Sequence, residues 1–76
     1  MNDVKVGQKY KHYKGKTYEI IAIGKDSDTL EEVVVYKGLY NSKEFGNNPV
    51  WVRPLKEFIE EVEANGKKVK RFGLVN

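Results

Sequence analysis

The sequence predicts a mainly β fold: a small, bent SH3-like barrel of five or six strands with one short helical turn near residues 54–58. Three observations lead there. β-branched and aromatic residues gather in short runs punctuated by glycine, asparagine or proline. The unbroken Val33-Val34-Val35 is the strongest strand signal. Asn65-Gly66, a preferred pair for a two-residue hairpin turn, separates two stretches whose charges match across one register.

Gln8 to Tyr13, Lys14-Gly15 and Lys16 to Ile23 read as a first hairpin, with glycine at the turn. Gly24-Lys25-Asp26-Ser27-Asp28 is a polar loop. In Glu32-Val33-Val34-Val35-Tyr36 no polar residue interrupts the valines, which predicts a strand covered on both faces at the centre of the sheet. Asn41 to Pro49 holds Gly46 and Asn47-Asn48-Pro49 and reads as a long, mobile, irregular loop. Val50-Trp51-Val52 resumes a strand. Arg53-Pro54 ends it, because proline supplies no ladder donor but suits the first turn of a helix.

Two readings compete for the segment that begins at Pro54. Leu55, Phe58, Ile59 and Val62 have helical spacing, which allows an amphipathic helix from Pro54 to Ala64. Alternatively, a helical turn from Pro54 to Phe58 precedes a hairpin about Asn65-Gly66. A type I′ turn there pairs Glu63 with Lys68, Val62 with Val69, Glu61 with Lys70, Glu60 with Arg71, and Ile59 with Phe72. Three opposite-charge pairs and two apolar pairs arise from one register, each contributing about 0.2–1 kcal/mol. The hairpin is the reading adopted.

At 76 residues the chain has room for one core, so residues 1–76 form a single domain with loose termini. Cysteine is absent, which removes disulfides, thiolate metal sites and a cysteine nucleophile, and fits a reducing compartment. The start, Met1-Asn2-Asp3-Val4-Lys5, lacks the apolar stretch of a signal peptide, and no run reaches membrane-spanning length. A cytoplasmic location is expected, without a membrane role. The net charge of +3, from 14 basic and 11 acidic residues, offers only modest attraction for phosphate backbones.

Chemistry-bearing patterns are sparse. His12 is the single histidine, so no metal spacing exists around it, and it reads first as a hydrogen-bonded residue beside the hairpin turn. Asp26, Asp28, Glu31 and Glu32 form an acidic run without the glycine and alternating ligands of a calcium loop. Ser27 and Ser42 lack a nucleophile-elbow context, and no phosphate-cradling glycine motif is present. No catalytic residue, metal ligand or cofactor is assigned. Lys67, Lys68, Lys70 and Arg71 make the densest basic run, but the hairpin register sets three of them against glutamates.

Aromatic residues are the more informative group: Tyr10, Tyr13, Tyr18, Tyr36, Tyr40 and Trp51, with Arg53 beside them. Such rings fill small cores, and the same rings hold peptides or stacked bases when they line a groove. Arg53 is suited to an ion pair, for which Glu32 is the candidate partner, or to a ligand carboxylate or phosphate.

Tyr10-Lys11-His12-Tyr13-Lys14-Gly15-Lys16, Tyr18-Glu19, Thr29-Leu30-Glu31-Glu32, Val34-Val35-Tyr36, Leu39-Tyr40, Trp51-Val52-Arg53-Pro54 and Arg71-Phe72 occur in that order. Over about residues 10–72 the chain thereby resembles a bacterial family designated domain of unknown function 1653. It departs from the family pattern at Asp26, where a histidine is common, at Lys70, where a proline is usual, and in a longer segment between Tyr40 and Trp51. The resemblance implies a compact bacterial domain, stand-alone or fused, and transfers no activity.

Three functions stand as expectations. The first is a non-catalytic binding module holding a peptide or protein with Tyr36, Tyr40, Trp51 and Arg53, and with His12 at the rim. The second is weak binding of RNA or single-stranded DNA by the same aromatics with Lys9, Lys11, Lys14 and Lys16. The third is a small-molecule enzyme pairing His12 with Glu32, which needs both in one pocket. The oligomeric state is not fixed by the sequence.

Overall fold

The computed structural model describes residues 4–75. Met1, Asn2 and Asp3, with the start expected to be loose, and Asn76 lie outside them. The described chain is mainly β. Its strands are β1 (Lys9–His12), β2 (Thr17–Lys25), β3 (Glu32–Gly38), β4 (Asn41–Ser42), β5 (Gly46–Asn47), β6 (Val50–Pro54), β7 (Glu61–Ala64), β8 (Lys67–Lys70) and β9 (Phe72–Val75), with one helical turn, α1 (Leu55–Phe58). Five strands form an antiparallel sheet in the order β6-β3-β2-β1-β9, while β4 with β5 and β7 with β8 form two small ladders.

This order is compatible with an SH3-like arrangement, but the sheet is open: β6 and β9 are its edges. Nor is β3 at its centre. β2 takes that place, with β3 one strand in from the β6 edge. The valines alternate accordingly, Val34 fully buried between half-buried Val33 and Val35. Between Ile20 and Ala22 the β2–β3 register shifts, so that Ile20 is buried and the extra residue, Ile21, is exposed.

The first hairpin forms about Lys14-Gly15 as expected, with Gly15 at φ +113° and its N–H donating to the His12 carbonyl. In the polar loop the Asp26 carboxylate accepts the N–H groups of Asp28 and Thr29. The irregular loop expected over Asn41 to Pro49 instead contains the β4–β5 ladder, Asn41 opposite Asn47 and Ser42 opposite Gly46. Its local chemistry explains the order: Ser42 Oγ accepts two turn amides, Gly46 and Asn48 take positive φ, and the Asn48 side chain donates to the Gly38 carbonyl at 2.9 Å.

Beyond Pro54 the structure has the single helical turn and the hairpin, not the longer helix. Asn65 at φ +53° and Gly66 at φ +77° make the turn, and β7–β8 pairs Glu61 with Lys70, Val62 with Val69 and Glu63 with Lys68. Glu60 meets Arg71 through an N–H to carbonyl bond and a side-chain ion pair, both 3.0 Å. The fifth expected pair does not form. Phe72 turns away from Ile59 into β9 and stacks on Phe58, their ring centroids 4.1 Å apart. Beyond Phe72, where the sequence predicts a loose end, the chain stays paired with β1 as far as Val75.

The core is Tyr10, Ile20, Val34, Tyr36, Phe58 and Phe72, with Val4, Tyr18, Trp51, Leu55 and Ile59 packed against it. Phe58 enters it from α1 and meets Tyr10 and Tyr36 edge-on. Edge-to-face contacts suit the ring quadrupole and add about 0.5–1.5 kcal/mol per pair beyond burial. Among the described residues no helix is long and apolar enough to cross a membrane.

Candidate functional site

Residues opposite one another on antiparallel strands share a face, so the register gathers the candidate residues. Tyr36 is opposite Trp51 and Ile20, Gly38 is opposite Tyr18, and His12 is opposite Phe72. All lie on the inner face. Tyr36 is buried there; His12, Tyr18, Tyr40, Trp51 and Arg53 remain half-buried. Tyr36 is therefore a core residue that reaches the site only through its hydroxyl, not a ring of an exposed groove.

Gly38 positions Tyr40. A side chain at Gly38 would collide with the Tyr40 ring, which occupies the space above it. Tyr40 then meets Tyr18 edge-on at 5.6 Å, with their hydroxyls 3.3 Å apart, and Lys16 Nζ lies 4.6 Å from the Tyr40 ring centroid. Burial first, then the Tyr40 hydrogen bond, holds the Tyr18 hydroxyl well above its ordinary pKa, so it stays protonated.

Arg53 Nε donates to the Tyr36 hydroxyl at 3.4 Å, and Arg53 Nη1 lies 3.5 Å from Glu57, one helical turn along. The expected partner, Glu32, is not used: it is exposed and sits opposite Lys25 at the start of β3. Glu32 instead lines a separate pocket of about 320 Å³ with Lys25, Leu30, Glu31, Leu55, Lys56 and Ile59, where Lys56 and Glu31 pair at 2.8 Å. His12 and Glu32 are thus at different ends of the sheet, and the pairing on which the enzyme reading depends does not occur.

The imidazole of His12 packs against Tyr13 and Phe72, with Tyr18 beyond, and its Nδ1 accepts the Lys14 N–H at 3.1 Å. Partial burial, followed by the charges of Arg53, Lys14 and Arg71, lowers its pKa below 6.5, so the ring is neutral at pH 7. With Nδ1 accepting, the proton of the neutral ring is on Nε2.

Trp51 forms the adjoining wall. Its indole N–H is buried without an acceptor among the described residues, and Phe45, 58% exposed, crosses its ring at 5.1 Å. Sequence reasoning missed Gly38 and Phe45, and it named Tyr18 only in the wider aromatic group and not among the binding residues. Signals for two of them were present, Tyr18 in its two-residue spacing from Ile20 and Gly38 as a glycine ending a strand. Of the lysines in the nucleic-acid reading, Lys9 and Lys11 alternate with Tyr10 and His12 and so face outward, away from the aromatics.

The model of the family described as "Protein of unknown function (DUF1653)" matches residues 8–74. The crystal structure of a DUF1653 protein from Bordetella bronchiseptica is similar with a TM-score of 0.80 and 33% identity, over 96% of this chain and 88% of that one. Among curated proteins none matches.

Proposed function

The chain belongs to the DUF1653 family, and from its own inner face we propose that it is a non-catalytic binding module that holds a peptide segment of a protein along Trp51, Phe45 and Tyr40. One observation carries this reading: the buried indole N–H of Trp51 has no acceptor among the described residues. An unpaired buried donor costs about 1–3 kcal/mol, and a peptide carbonyl becomes its acceptor when the groups that cover the indole nitrogen move aside on binding. The exposed Phe45 ring resting on Trp51 supplies the apolar contact such a segment needs. Arg53, two residues along β6 from Trp51, and Tyr40, beside Gly38 at the end of β3, provide polar groups near this wall.

The test selects ligands from a displayed library of random peptides and maps them by NMR. Selected peptides are expected to shift the Trp51 indole N–H and the amides flanking Tyr40, and Trp51→Phe, which removes the N–H but keeps an aromatic ring, is expected to weaken them. Peptides that bind while leaving Trp51 and Tyr40 unmoved, or that bind Trp51→Phe unchanged, overturn the proposal. So does a failure to select any.

A further inference from the structure

We propose that the half-open cluster formed by Arg53, His12, Tyr18 and Tyr40 seats a carboxylate of the bound peptide, an inference that rests on the binding function above. Donors outnumber acceptors there. Arg53 uses Nε on Tyr36 and Nη1 on Glu57, which leaves Nη2 with no partner among the described residues. The neutral His12 ring carries its proton on Nε2 because Nδ1 accepts from Lys14. Tyr18 and Tyr40 share a single hydrogen bond between two hydroxyls, so one O–H remains to donate.

The surrounding charge has the same sign. Arg53 from β6 joins the cluster through the Tyr36 hydroxyl, whose ring meets Tyr18 edge-on at 5.3 Å, and with Lys14 from the first turn and Arg71 from the segment between β8 and β9 it acts on His12 as a positive charge. The acids that pair with these arginines are engaged, Glu57 with Arg53 and Glu60 with Arg71. A planar guanidinium beside neutral donors matches a carboxylate, and a singly charged group costs less to desolvate in a half-buried site than a doubly charged phosphate.

Two sources share this chemistry, the chain terminus of a peptide and the side chain of an aspartate or glutamate. Three short alanine peptides with one tyrosine separate them: a free C-terminal acid, its amide, and an amide carrying one glutamate. Binding is followed by NMR through the His12 ring and the Arg53 Nε–H, with acetate and inorganic phosphate as further probes. At least one acid is expected to bind about tenfold more tightly than the plain amide, with the stronger acid identifying the source. Arg53→Gln is expected to abolish that preference and Arg53→Lys to restore part of it, each variant's fold being checked by its amide spectrum.

Equal binding of acids and amide overturns the carboxylate seat while leaving the peptide-binding function in place. Stronger binding of phosphate than of acetate overturns it too. If none of the three peptides moves His12 or Arg53, the seat is likewise rejected. The function itself is judged separately, by the selected peptides and the Trp51 signal.

Discussion

The five-stranded sheet and the β7–β8 hairpin share strand geometry but are held by different forces. In the sheet, Tyr10, Ile20, Val34, Tyr36 and Phe72 bury their side chains against one another and against Phe58. In the hairpin no residue is fully buried: Val62 and Val69 are half-buried, and the hairpin packs mainly on itself. What fixes it is local, an Asn-Gly turn and the backbone register it sets, which places Glu61 opposite Lys70 and Glu63 opposite Lys68 although neither pair closes to an ion pair. Burial anchors one region, and pairing rules shape the other. An isolated two-stranded hairpin is marginal in water, so β7–β8 depends on the body to hold its ends.

The sharpest way to break this contrast is to remove a ring from the core. Phe58→Ala is expected to cost about 3–5 kcal/mol, a large share of a small domain's stability, in urea unfolding followed by tyrosine and tryptophan fluorescence. Val69→Ala in the hairpin is expected to cost less than about 1 kcal/mol in the same assay. Equal losses would mean that the hairpin belongs to the cooperative core.

Gly38→Ala comes next. Because the added methyl would strike the Tyr40 ring, a loss of about 1–3 kcal/mol is expected, with displacement of the Tyr40 and Tyr18 ring signals in NMR. Gly66→Ala forces a side chain into a left-handed turn at φ +77° and is expected to cost roughly 1–2 kcal/mol. Hydrogen exchange is expected to speed up in Glu61–Ala64 and Lys67–Lys70 much more than in β2 and β3. Uniform acceleration would contradict the separation of the two regions.

The smallest effect is that of pH. His12 has a lower pKa folded than its ordinary 6.5, so the unfolded chain takes up its proton more readily. Its contribution to stability is therefore complete above about pH 6.5 and declines as pH falls through the folded-state pKa. Thermal midpoints measured across this window are expected to drop toward acid, and the drop is expected to shrink in His12→Gln.

The same contrast governs what could be read from the sequence. The hairpin register was legible almost pair by pair, because alternation about Asn65-Gly66 leaves one arrangement that satisfies the charges at Glu61, Glu63, Lys68 and Lys70. Elements held by burial were less so. Val33-Val34-Val35 announced an inner strand but not its place in the order. β9 contains Gly73 and comes after a basic run, so it carried no strand signal, although β1 pairs with all of it. At the site, Arg53, Trp51, Tyr40 and His12 were identifiable as residue types, but burial of Tyr36 depends on α1 delivering Phe58 across the sheet. The choice of Glu57 over Glu32 by Arg53 was available from the four-residue spacing across the helical turn.

Glu60 and Arg71 mark the neck of the hairpin. Two bonds of 3.0 Å join them, and Arg71 Nε adds a third, also 3.0 Å, to the Glu57 carbonyl. The chain between them leaves the body and returns to the same place, so its length is decoupled from the register of β9 on β1. The hairpin is in effect a replaceable extension: lengthening it at Asn65-Gly66, or exchanging it for another segment, leaves the closure at Glu60 and Arg71 to keep the aromatic body assembled.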